Sequence, residues 1–191
     1  SAIYTSSSLV KGDAVSVVMT SSLSNCGTTA TSNVVNMTVN NSRPVSFSIN
    51  ASDTSICPGE SVTFSAGPIT NGGSNPDYQW LLNGGPISGA TNSTYTTSSL
   101  TGTETISLQL TSYVQCAVQQ TGSNGITVTV NSLPTVVANT SDNAICLGES
   151  VTLSGSGAST YTWDNGVTNG VAFSPTTTQT YTVIGTDSNG C

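Results

Sequence analysis

The residues of this chain best suited to chemistry are five cysteines, Cys26, Cys57, Cys116, Cys146 and Cys191, and nine acids set against two cations, Lys11 and Arg43. Its 191 residues include no histidine, so a serine or cysteine nucleophile would lack its usual general base. The acids, Asp13, Asp53, Glu60, Asp77, Glu104, Asp142, Glu149, Asp164 and Asp187, fall singly along the chain. No pair of them has a spacing that suggests two carboxylates flanking one glycosidic bond. The expectation is that the chain is not an enzyme and has no catalytic residue. Zinc is disfavoured because histidine is missing and no two cysteines are closely spaced.

Calcium is the stronger of the metal readings. Asp187-Ser188-Asn189-Gly190 places oxygen ligands at alternating positions before a glycine, and Asp53 or Asp142 could add another. The tetrapeptide lacks a later bidentate glutamate, and the same residues make an ordinary turn. Asp187 and Asn189 are therefore weak calcium candidates, and no cofactor is expected. An intramolecular isopeptide bond would need a buried lysine, whereas Lys11 stands beside Gly12 in a turn-like stretch.

The elements that position these residues are repeated. Ile56-Cys57-Pro58-Gly59-Glu60-Ser61-Val62-Thr63-Phe64-Ser65 returns as Ile145-Cys146-Leu147-Gly148-Glu149-Ser150-Val151-Thr152-Leu153-Ser154. Tyr78-Gln79-Trp80 follows the first copy and Tyr161-Thr162-Trp163 the second. Tyr4 to Leu9 and Val35 to Asn40 match Tyr95 to Leu100 and Ile126 to Asn131. On this register, residues 1–40 are the C-terminal part of one repeat, 41–131 a complete repeat, and 132–191 a repeat lacking its last strand. The chain then reads as a window on a longer array. Short junctions, Val39 to Pro44 and Val130 to Pro134, each carry a proline and predict a semi-rigid rod.

Composition points to an all-β fold. About a third of the residues are serine or threonine and only 6% are charged, while Val, Thr, Ile and Tyr recur at period two. Strands are predicted over 45–51, 61–66, 78–82, 93–97, around Ile106-Leu108-Leu110 and over 126–130, with a turn at Asn83-Gly84-Gly85. Short strands, frequent turns and one buried-looking tryptophan describe tandem immunoglobulin-like β-sandwiches. Trp80, Trp163, Tyr78, Tyr161 and Tyr181 fall at core or core-margin positions. Tyr4, Tyr95 and Tyr113 are the aromatics open to a sugar-stacking role. A formal charge of −7 argues against nucleic acid and against an anionic membrane surface.

The repeat register also suggests a cysteine pairing. Cys57 and Cys116 hold the same places in the middle repeat as Cys146 and Cys191 in the last, so bridges within each unit are expected. Each would close about sixty residues and stabilise by roughly 4 kcal/mol in the chain-entropy model. Cys26 matches Cys116 and is left unpaired in this chain, with a free reactive thiol as the competing reading. Such bridges imply an oxidising, extracellular compartment.

Together, the Ile-Cys-x-Gly-Glu-Ser-Val-Thr phrases, the run from Tyr78 to Tyr95 and the run from Tyr161 to Cys191 resemble the immunoglobulin-like and PKD-like repeats of giant surface adhesins of Bacteroidota. The resemblance covers essentially the whole chain. It implies secretion by the type IX system, a place on the cell surface, and a part in attachment or in the filaments of gliding motility. It also implies neighbouring repeats of the same chain as partners, together with other surface or secretion-system proteins or surface glycans, and no direct membrane insertion. The alternative is a carbohydrate- or protein-binding module, or a stalk appended to a secreted hydrolase.

Overall fold

The computed structural model describes residues 3–22, 28–118 and 125–191. Cys26 lies outside the described residues. Every regular element among them is a strand, so the fold is all-β.

The first segment holds β1 (Ala14–Val15), β2 (Val18–Thr20), β3 (Thr29–Thr31) and β4 (Val35–Asn36), paired antiparallel as β1 with β4 and β2 with β3. Its large apolar side chains, among them Val17, Val18, Met19, Val34 and Val35, are exposed. Among its described residues none belongs to the buried core.

The middle segment runs through β5 (Arg43–Pro44), β6 (Ile49–Ala51), β7 (Ser55–Ile56), β8 (Val62–Ala66), β9 (Asp77–Leu82), β10 (Gly85–Pro86), β11 (Thr94–Thr97), β12 (Thr103–Thr111), β13 (Ala117–Val118) and β14 (Ile126–Val130). One sheet has the order β10-β9-β12-β14-β7 and the other β11-β8-β6. Strict alternation explains the layering, because Val62 and Phe64 are fully buried while Thr63 between them is exposed. Ile106 and Leu108 of β12 and Val128 of β14 meet them from the opposite sheet, around Trp80. Each such side chain contributes about 1.5–3 kcal/mol of burial. The Trp80 indole is also satisfied, donating from Nε1 to the Asn92 carbonyl at 2.9 Å. Asn83 and Gly84 both have positive φ, 50° and 84°, and form the tight turn between β9 and β10.

Two parallel pairings were not foreshadowed by the periodicity. β5 runs beside β13, and β7 beside β14. They define the two ends of the middle segment. At the upstream end, Arg43 N–H donates to the Cys116 carbonyl at 2.8 Å. At the downstream end, Asn131 N–H donates to the Ile56 carbonyl at 2.8 Å. The nine residues of β12 separate these ends by about 25 Å.

The last segment holds β15 (Val137–Thr140), β16 (Val151–Ser156), β17 (Thr160–Trp163), β18 (Ala172–Phe173) and β19 (Val183–Thr186). β15, β16 and β18 form one sheet and β17 with β19 the other. Its core is smaller, with Val151, Leu153 and Trp163 buried and Ile145, Phe173 and Tyr181 packed at the margin.

Candidate functional site

The most informative site is the junction between the middle and last segments. It is built from a turn that the sequence states twice. In Cys57-Pro58-Gly59-Glu60, Glu60 N–H donates to the Cys57 carbonyl at 3.2 Å, and Gly59 has φ 85°. That is a type II turn, which needs positive φ at its third residue and accepts proline at its second. Cys146-Leu147-Gly148-Glu149 repeats it, with a bond of 3.0 Å and φ 94° at Gly148. In both copies the glutamate carboxylate accepts the cysteine N–H at 2.7 Å. Glu60 and Glu149 therefore lock a turn and orient the cysteine.

The cysteines do not pair within units. Cys57 is bonded to Cys191, with Cα atoms 5.5 Å apart across a sequence separation of 134. Cys116 and Cys146 are free and exposed. The expected Cys57–Cys116 and Cys146–Cys191 bridges are corrected by strand direction. Cys57 follows β7 at the downstream end of the middle segment, while Cys116 follows β12 at its upstream end. A gap of about 25 Å is far beyond the Cα separation of about 4.4–6.8 Å that a disulfide tolerates. In the last segment Cys146 precedes the start of β16, whereas Cys191 follows β19, whose Thr186 faces Thr160 near the far end of β16. Those two cysteines also sit at opposite ends.

The arrangement brings Cys191 to the face where the last segment begins. Residues 135–136 press on two glycines there. A Cβ on Gly157, which has φ 89°, would lie 1.9 Å from the Thr135 carbonyl oxygen, and one on Gly185 would lie 2.5 Å from Val136 Cγ2. Only residues without a side chain admit so close a connector. Asp187 completes the site. Its Oδ1 accepts the Cys191 N–H at 2.9 Å and the Asn189 N–H at 2.8 Å. The Cys191 bond, helped by those from Asn189 and Gly190 and opposed by partial desolvation, holds the Asp187 carboxyl below the usual aspartate value. The tetrapeptide weighed for calcium thus binds its own backbone and shapes the loop that presents Cys191. Asp53 and Asp142 likewise accept nearby backbone N–H groups, from Thr54 and Ser55 and from Ala144. Among the described residues no three His, Cys, Asp or Glu side chains cluster as a metal site would require.

The aromatics divide by position. Trp80 and Trp163 are buried, and Tyr78, Tyr95, Tyr161 and Tyr181 are half-buried. Tyr4 and Tyr113 are exposed. The Tyr113 hydroxyl donates to the Asp77 carboxylate, and that bond, with the Asp77 charge, raises the phenol above its ordinary pKa.

No protein-family model matches the chain, and no curated protein matches it. No periodicity in the sequence marked the bridge, because what places Cys57 at the downstream end is the parallel pairing of β7 with β14, the strand that leaves the unit.

Proposed function

We propose that this chain is a structural repeat segment of a large secreted cell-surface adhesin or filament, in which immunoglobulin-like units joined in tandem serve attachment or gliding motility. The observation that carries the reading is the Cys57–Cys191 bridge, which ties one unit to the next across the junction rather than closing either unit on itself. A covalent tie at that place limits how far the two units separate under load. The connections at opposite ends of the middle segment suit units strung end to end. A bridge of this kind persists in an oxidising compartment, in keeping with an extracellular location. Its partners on this reading are neighbouring repeats and the surfaces or proteins that the filament meets. The function is mechanical and requires no catalytic residue.

The test is topological. Fab fragments raised against the chain are applied to intact cells of the source organism, followed by an attachment and surface-translocation assay. Labelling of unpermeabilised cells with loss of attachment or movement is the expected result. Labelling only after permeabilisation removes the reading.

A further inference from the structure

Asparagine is followed by glycine at Asn71, Asn83, Asn124, Asn165, Asn169 and Asn189. Such a pair can react with itself, because the glycine nitrogen is adjacent to the asparagine side chain and no Cβ of its own shields it. Ring closure needs that nitrogen brought against the asparagine Cγ, so the fold decides which pairs react. Asn124 lies outside the described residues. Four of the other five are locked. Asn71, Asn83 and Asn165 are left-handed, with φ 56°, 50° and 54°. In that conformation the next nitrogen stands opposite Cβ, and the turn would have to unwind before a ring could close. Their side chains are held as well. Asn71 Nδ2 donates to the Pro44 carbonyl at 2.8 Å, Asn83 Oδ1 accepts the Thr105 N–H at 2.9 Å, and Asn165 Nδ2 donates to the Asp164 carboxylate at 3.2 Å. Asn169 Oδ1 accepts the Gly155 N–H at 2.7 Å and the Trp163 indole N–H at 3.0 Å, while Gly170 N–H donates to the Leu153 carbonyl at 2.8 Å.

Asn189 differs at each point. It is exposed, as is Gly190, and it lies outside the left-handed region. Its Nδ2 makes one long contact, 3.4 Å to the Asp187 carboxylate, and its Oδ1 has no partner among the described residues. Gly190 N–H reaches the Asp187 carbonyl only at 3.3 Å, past the ordinary range of about 2.7–3.2 Å. The space beside Gly190 is open, since a Cβ built there would meet nothing within 4 Å. The middle segment supplies the contrast. Counting from the Trp80–Leu108 and Trp163–Val183 pairs, Ser112 to Cys116 hold the place of Asp187 to Cys191. Ser112 Oγ accepts the Val114 N–H at 3.2 Å, as Asp187 Oδ1 accepts that of Asn189 at 2.8 Å. Val114 and Gln115 stand there in place of the reactive pair.

We infer that Asn189 is a site of spontaneous deamidation, and that the reaction loosens the loop presenting Cys191. The Gly190 nitrogen gives up its proton to hydroxide and attacks Asn189 Cγ. The new N–Cγ bond closes a succinimide, the Cγ–Nδ2 bond breaks, and Nδ2 leaves as ammonia after taking a proton from water. A second water opens the ring at either carbonyl and leaves aspartate or isoaspartate at position 189. Water is the only co-reactant. Either product sets a second carboxylate beside that of Asp187, where an amide had donated, and isoaspartate also lengthens the backbone between Asp187 and Cys191. Like charges so close oppose the arrangement in which Asp187 accepts the N–H groups of residue 189 and Cys191. The Cys57–Cys191 bond is untouched, so the covalent tie stays while the loop around it relaxes.

The test uses the full chain with its disulfide intact, incubated at mildly alkaline pH in water enriched in heavy oxygen. Peptide mapping by mass spectrometry reads each asparagine, and the heavy oxygen marks only the events of the incubation. Each rate is referred to that of the same pair in the reduced chain unfolded in urea. On that scale Asn189 should react at least about tenfold faster than Asn71, Asn83, Asn165 or Asn169, with a rate that rises in proportion to hydroxide. Hydrogen exchange of residues 187–191 should quicken as the modification accumulates. Asn189→Gln, whose longer side chain closes a ring far more slowly, should keep its exchange unchanged over the same incubation. A rate at Asn189 no higher than at the other four overturns the assignment. Deamidation without faster exchange, or exchange that quickens equally in Asn189→Gln, overturns the consequence. Both readouts are independent of cellular location.

Discussion

The middle and last segments contain the same turn, the same tryptophan strand and nearly the same ten-residue phrase, yet they finish differently. Ile56 is 4% exposed and sits in a strand, while Ile145, its counterpart, is only partly buried and belongs to none. Trp80 is wholly buried, and Trp163 retains 7% exposure beside a cleft. The local sequence does not account for this, since the two phrases differ only at Pro58 against Leu147 and Phe64 against Leu153. What differs is the presence of β14. A two-residue strand such as β7 is too short to persist alone, and it exists because a neighbour supplies its ladder. Strand identity at these positions is thus a property of the partner as much as of the residues.

The sharpest way to break this comparison is to remove each tryptophan. Trp80→Ala should destabilise the middle segment by about 3–5 kcal/mol, as expected for a large, fully enclosed side chain. Trp163→Ala should cost its segment about 2 kcal/mol, because part of its surface already borders the cleft. Hydrogen exchange resolved by segment measures both, and equal losses would show that the cores are equally complete.

The bridge sharpens the contrast next. Cys191→Ser should lower the stability of the folded chain by about 2–4 kcal/mol, with the effect centred on the junction. Peptide mapping of the native chain after alkylation without reductant should find Cys116 and Cys146 modified and Cys57 joined to Cys191. Recovery of Cys57 joined to Cys116 would restore the within-unit pairing.

A smaller effect should be shared. Glu60→Gln and Glu149→Gln each weaken a charge-assisted bond to a cysteine N–H, and each should cost about 1 kcal/mol by urea denaturation. Unequal costs would mean that the two turns are not interchangeable.

The smallest concerns acid. Asp187 has a lowered pKa in the folded chain, so its contribution is present above the unfolded value and is lost as pH falls through the folded value. Asp187→Asn should lower the melting temperature slightly at neutral pH and flatten the acid limb of a thermal-melt series, so that variant and wild type converge at low pH.

Much of the fold was legible because it is written in local alternation. Val62 and Phe64 on β8, Ile106 to Leu110 on β12, Val128 on β14 and the Asn83-Gly84 turn all follow from period and turn chemistry. The parallel pairs were not legible, since Ser55–Ile56 and Arg43–Pro44 are too short to carry a period. The cysteine register was legible, but the pairing was not. Matching positions in a repeat specify where a thiol sits along a unit, whereas a bridge depends on which end of the unit that place occupies.

The parallel pairs at the two ends of the middle segment have one more consequence. A pull applied through its connections draws Arg43 one way and Val130 the other. β5 and β7 lie alongside the strands they bond, with their ladders crosswise to that pull. Crosswise bonds are loaded together in shear, whereas a hairpin pulled from its open end unzips one bond at a time. Two two-residue strands, of which only Ile56 enters the core, are placed where they act as clamps.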